Sequence, residues 1–181
     1  EILKADGFLA RYTEETSTGT RSGIEIVRQV AQDYSINPMI LLALIEFRSH
    51  WLFGEPNGAA EHDYPVGWHE AANKGLYKQV AWAANTLSTG YYGWRGGTLS
   101  EIPYYRNPKP IQPIYFEPSL NAGSVAIQYL FAQLYDWQDL DAAIYAETGF
   151  LSVFTSIFGN VWETADPRGI GLNADLDIPV I

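Results

Sequence analysis

The stretch SINPMILLALIEFRSHWL, Ser35 to Leu52, decides the fold. Asn37 is a good N-cap residue, and Pro38 stands at the first helical position, where its missing N–H costs nothing. Every residue from Met39 to Ile45 is apolar, and a helix apolar on all sides is one buried on all sides. Glu46 ends the run, with Arg48, Ser49 and His50 after it. At about 100° per residue, Glu46 and His50 share a face with Met39, Leu42 and Ala43, while Arg48 points nearly the opposite way. A carboxylate on a central buried helix costs free energy unless it is paired or put to use. Glu46 is therefore the first residue to explain.

Outward from this helix the pattern stays helical. Ser22-Gly-Ile-Glu25 is a capping box, and Ile24, Val27, Val30, Ala31 and Tyr34 keep helical spacing to about Tyr34. After Leu52, a loop rich in Gly and Pro runs to Trp68. A third helix is marked by Leu76, Val80, Ala83, Ala84 and Leu87. Gly90 to Pro118 is the least regular part, with Tyr91, Tyr92, Trp94, Tyr104 and Tyr105 before the proline-rich Asn107–Pro113. Such long loops in compact domains are usually functional or disordered, and one this aromatic is ordered. Ser119 or Asn121 then caps a helix to about Tyr135, followed by shorter helices over Asp139–Glu147 and Gly149–Phe158. Thr13–Thr20 reads as a Ser/Thr/Gly linker. The expectation is an all-α fold: an extension over 1–22, one helical domain over 23–162, and a tail over 163–181.

Composition narrows the function. The 181 residues carry a formal charge of −10, which disfavours nucleic acid and anionic membrane surfaces. Six Trp and twelve Tyr suit a surface that grips flat ligands such as sugar rings. The absence of cysteine excludes disulfides, thiol nucleophiles and zinc–thiolate sites. The His62-Asp63 and His69-Glu70 pairs lack the spacing of a metal motif, so neither a metal nor another cofactor is expected.

The order of motifs resembles the lysozyme-like superfamily, in particular lytic transglycosylases and glucosaminidases. Pro38, Leu41-Leu42-Ala43 and Ser49-His-Trp51 follow that family's catalytic helix, in which an aliphatic run leads into Glu-Ser-Gly-aromatic. Gly75-Leu-Tyr-Lys-Gln79 is similar to its Gly-Leu-Met-Gln turn, with one residue extra. Asn121-Ala-Gly123 with Tyr129-Leu130, and Ala143-Ile-Tyr145-Ala146 through Gly149, resemble its later helices. The resemblance implies a single lysozyme-like helical domain with long irregular aromatic loops. It implies an exported or cell-envelope protein, monomeric and not inserted in a membrane, that acts on cell-wall glycan. One departure stands out: aligned on Ser49 and Trp51, the catalytic Glu position holds Arg48.

Glycosidic cleavage requires a proton donor, and apolar burial prepares a Glu for that role. Glu46 is the candidate general acid. Hydrolysis would add a second carboxylate, with Glu61, Asp63 and Glu70 as candidates. Tyr91, Tyr92, Trp94, Tyr104 and Tyr105 are candidate sugar platforms, and Tyr145 joins them by resemblance. Two readings stay open. Glu46 is either the acid of a glycan-cleaving enzyme or a structural anion in an inactive module that binds glycan or a polypeptide through its aromatic groove. For Ser49 the simpler expectation is a hydrogen bond back to its own helix.

Overall fold

The computed structural model describes residues 6–106 and 108–160. The chain is mostly helical, with one small sheet. Its first element, α1 (Phe8–Arg11), leads into a hairpin of β1 (Thr13–Thr16) and β2 (Gly19–Ser22), in which Thr13 faces Ser22 and Thr16 faces Gly19. This corrects the expected linker, and the expected all-α class holds as mostly α. Thr13, Thr16 and Thr20 are β-branched and favour strands, and Gly19, at φ 106°, supplies the left-handed turn. The expected tail, residues 163–181, lies outside the described residues.

The capping box forms as expected and starts α2 (Gly23–Asp33): the Glu25 carboxylate accepts the Ser22 N–H at 2.8 Å. In α3 (Pro38–Ser49), the Asn37 side chain accepts the Met39 N–H at 2.9 Å, and Leu41 through Ile45 are all buried. Burying each large aliphatic side chain contributes about 1.5–3 kcal/mol, so this helix is the centre of the core. It stops at His50, which adopts a left-handed φ of 56°.

After α4 (Ala59–Asp63) and a single 3-10 turn at Ala71–Asn73 comes α5 (Leu76–Arg95). The third helix is thus longer than its apolar pattern suggested, and Tyr91, Tyr92 and Trp94 sit on its last turns, not in a loop. Gly90 does not break it. A Cβ there would lie 2.8 Å from Cβ of Tyr129, so the glycine permits close packing against the next helix. The later helices are α6 (Ala122–Leu134), α7 (Leu140–Tyr145) and α8 (Phe150–Phe158).

The chain divides into two compact units. The first holds described residues 6–84 and 153–160. The second is Asn85–Ser152. Among the described residues, no helix is long and apolar enough to cross a membrane.

Candidate functional site

Glu46 lies on the last turn of α3, with 14% of its side chain exposed. Its Oε2 accepts the main-chain N–H of Leu52 at 2.9 Å and that of Phe53 at 3.3 Å. Its other oxygen, Oε1, faces Nδ1 of His50 at 3.6 Å, the pairing that helical spacing implied. The left-handed bend at His50 brings the chain back over the helix end, so the two amides point at the carboxylate. One carboxylate oxygen is thus committed to holding the turn. Ser49 Oγ donates to the Ile45 carbonyl at 2.9 Å, as expected. Arg48 packs beneath Gly67, whose φ is +87°.

The same turn receives the N-terminal segment. The N–H groups of Gly7, Phe8 and Leu9 donate to the carbonyls of Leu52, Gly54 and Trp51 at 3.0, 2.9 and 2.8 Å. Phe8 meets Trp51 edge-on at 4.6 Å between ring centroids, Tyr12 lies 4.9 Å from the same indole, and His62 stands 5.4 Å from Phe8. Trp51 is fully buried.

The candidate second carboxylates have local work. Glu61 accepts the Asn57 N–H at 2.7 Å. Asp63 is paired with Lys74 at 2.7 Å and lies 3.3 Å from His62. The hydrogen bond from Lys74, then that from His62, holds the Asp63 carboxyl below its ordinary range. Glu70 is exposed at the start of the 3-10 turn. Among the described residues, no group of three or more His, Asp or Glu is arranged to hold a metal.

The aromatic candidates all fall in the second unit, where they divide into two kinds. Tyr91 and Tyr104 are buried, and burial pushes the Tyr104 hydroxyl pKa up. Trp94 donates its indole N–H to the Leu120 carbonyl at 3.1 Å and meets Phe116 edge-on, which makes it a brace. Tyr92, Tyr105 and Tyr145 are about half exposed or more. The Tyr145 hydroxyl accepts from Gln128 at 2.8 Å, and Tyr105 shares a hydrogen bond with Tyr129. Residues 100–106 and 108–116 belong to an arm whose limbs join where the Ile102 N–H donates to Ile114 at 2.7 Å and the Phe116 N–H to Ser100 at 3.1 Å. The arm also exposes Tyr115, and Ile111 is 97% exposed.

Three residues with large roles carried little sequence signal. Glu14 reaches across from β1 to the start of α5, where it accepts the Leu76 and Tyr77 N–H groups. Gln79 is fully buried; it accepts from Val66 and Trp68 and donates to the carbonyls of Trp68 and Asn73. Its place in Gly75-Leu-Tyr-Lys-Gln79 was the one available hint. Ile111 is a lone aliphatic in a polar, proline-rich run, and its exposure has no sequence signature.

No curated protein and no solved structure matches the chain. A family model described as "LasA, N-terminal domain" matches residues 2–170, nearly the whole length. The chain therefore belongs to the LasA N-terminal domain family.

Proposed function

We propose that this chain is a non-catalytic module, built on a lysozyme-like arrangement of helices, that binds cell-wall glycan outside the cytoplasm. The observation that carries this reading is the Glu46 carboxylate, whose Oε2 is occupied by the Leu52 and Phe53 amides. A general acid must present its proton to a substrate oxygen, and this carboxylate is turned to its own chain. Arg48 at the aligned catalytic position agrees with that, and so does a family described as an N-terminal domain, a part of a longer protein. Support for the scaffold comes from α3 starting at Pro38, Gln79 tying its loop, and Asn121 capping α6 by accepting the Ser124 N–H at 2.9 Å. Tyr92, Tyr105 and Tyr145 present exposed rings of the kind that stack on sugars.

One observation favours a second reading, a polypeptide partner. Ile111 stands almost fully exposed between prolines, and an aliphatic tip suits a protein surface better than a sugar.

The test is incubation of purified peptidoglycan with wild type, Glu46→Gln, and the pair Tyr92→Ala and Tyr105→Ala. Retained pelleting without released fragments, weakened in the tyrosine variants, is the expected result. Fragments that vanish in Glu46→Gln would restore the enzyme. Neither fragments nor pelleting would remove glycan and leave the polypeptide reading.

A further inference from the structure

We infer that the last turns of α5 carry a carboxylate-recognition site, in which Arg95 takes the acid group of a sugar whose ring lies on Tyr92. The inference rests on the glycan reading and names the class of glycan, one whose sugars bear a carboxylate. Tyr92 stands three residues before Arg95 and Tyr91 four, so on a helix both rings neighbour the guanidinium. Tyr91 is buried and Tyr92 is 47% exposed, and their rings meet edge-on at 5.4 Å between centroids. The buried ring therefore sets the angle of the exposed one. The Arg95 guanidinium lies over the Tyr91 ring, 5.7 Å from its centroid, and its Nη1 donates to the Tyr91 hydroxyl at 3.3 Å. One buried tyrosine thus anchors a sugar platform and a cation side by side.

The guanidinium has donors to spare. It carries five N–H groups in a planar fork that matches a carboxylate, and Tyr91 takes one of them. Among the described residues, no carboxylate forms an ion pair with Arg95. The end of the helix does not occupy it either. The Tyr92, Gly93 and Trp94 carbonyls accept from the N–H groups of Gly96, Thr98 and Gly97 at 2.8, 2.9 and 3.1 Å, so the chain caps its own helix. A cation near a helix C-terminus complements the dipole, but that explains a charge at this end and not a guanidinium seated on a ring. The overall charge adds a further reason. At −10 the chain repels an acidic glycan at long range, so a sugar carboxylate has to be met by a local cation. Tyr92 alone would accept any pyranose, and Arg95 beside it selects the acidic ones.

The test is calorimetric titration of the full chain with the peptide-free tetrasaccharide of peptidoglycan, whose alternate sugars carry a carboxylate, and with the same tetrasaccharide converted to its methylamides. The quantity read is the ratio of the two affinities, which a partly unfolded sample leaves unchanged. Wild type is expected to favour the acid form roughly tenfold at low salt. That preference should shrink as salt screens the exposed charge. In Arg95→Gln the ratio should fall to about one, since neither form then meets a charged donor. Arg95→Lys, which keeps the charge without the fork, should fall between the two, and a ratio equal to that of wild type would overturn the held fork. Equal binding of both forms by wild type would overturn the inference and leave the glycan reading standing. A preference that persists in Arg95→Gln would overturn it too, by assigning the acid to another cation. If neither form binds, the inference falls together with the glycan reading.

Discussion

Glu14, on the first strand, accepts the main-chain N–H of Leu76 at 2.7 Å across 62 residues of sequence. The same oxygen accepts from Tyr77 at 3.3 Å and from the Tyr12 hydroxyl at 2.9 Å. A carboxylate is well placed at the start of a twenty-residue helix, where unpaired N–H groups and the helix dipole both favour negative charge. This is an N-cap supplied from a distant hairpin. Glu14→Ala is expected to lower unfolding free energy by about 1–2 kcal/mol, with Glu14→Gln recovering part of the loss. Urea denaturation of the three proteins checks it.

Tyr12 predicts alkaline behaviour. Burial first, and then the hydrogen bond to Glu14, raise its hydroxyl pKa above the ordinary value. Burial raises Tyr104 and Tyr129 as well. A tyrosine raised in the folded state stays protonated while the unfolded chain loses its proton. The stability it contributes is therefore complete below the unfolded value, about pH 10, and is lost as pH rises beyond it. Thermal midpoints should fall above about pH 10 in wild type and fall less steeply in Tyr12→Phe.

Asp63 predicts the opposite limb. Its carboxyl is lowered chiefly by Lys74, so its contribution is present above the ordinary carboxylate value and is lost as pH falls through the lowered one. Asp63→Asn should lower the midpoint slightly near neutral pH and converge on wild type as pH falls, so that the acid limb of the midpoint-against-pH curve is flatter. An unchanged acid limb would show that the Lys74 pair contributes nothing measurable, as many exposed pairs do.

Gly67 lies over the Arg48 guanidinium with φ +87°, and an added Cβ would stand 2.6 Å from Arg48 Nε. Gly67→Ala is expected to cost about 1–3 kcal/mol, from the left-handed backbone together with displacement of the guanidinium. Gly58→Ala, which meets nothing within 4 Å and has an extended φ, is the control expected to be near neutral. Equal midpoints for the two variants in chemical denaturation would sink the argument.

Gln79 joins three loop positions from one buried amide. Gln79→Leu should destabilise by about 2–3 kcal/mol, because the Val66 and Trp68 N–H groups lose a buried acceptor. Faster proteolysis between Tyr64 and Lys74 would place the damage in the loop it ties.

How much of this could be read from the chain differs by element. The caps at Ser22, Asn37 and Asn121 were readable, because each is satisfied within three residues and depends only on side-chain type. The hairpin was missed because a run of Thr, Glu and Gly has linker composition, and only pairing distinguishes it from one. The third helix was expected to stop near Leu87, because the reason Gly90 stays helical, the approach of Tyr129, comes from 39 residues later. Among the candidate site residues, the pairing of Glu46 with His50 followed from helical spacing. The amides of Leu52 and Phe53 did not, since the left-handed bend at His50 is what aims them.

By itself, the sequence determined the buried central helix, the caps and the helical character of the chain. These rest on periodicity and on interactions a few residues long. Tertiary structure decided that Glu46 holds a turn, that Tyr91 and Tyr104 are buried while Tyr92 and Tyr105 are exposed, and that Glu14 caps a helix 62 residues away. The physical reason is that a polar or aromatic side chain takes its role from the partner it meets. For these residues the partner comes from a bend or from a distant part of the chain, which no local pattern encodes.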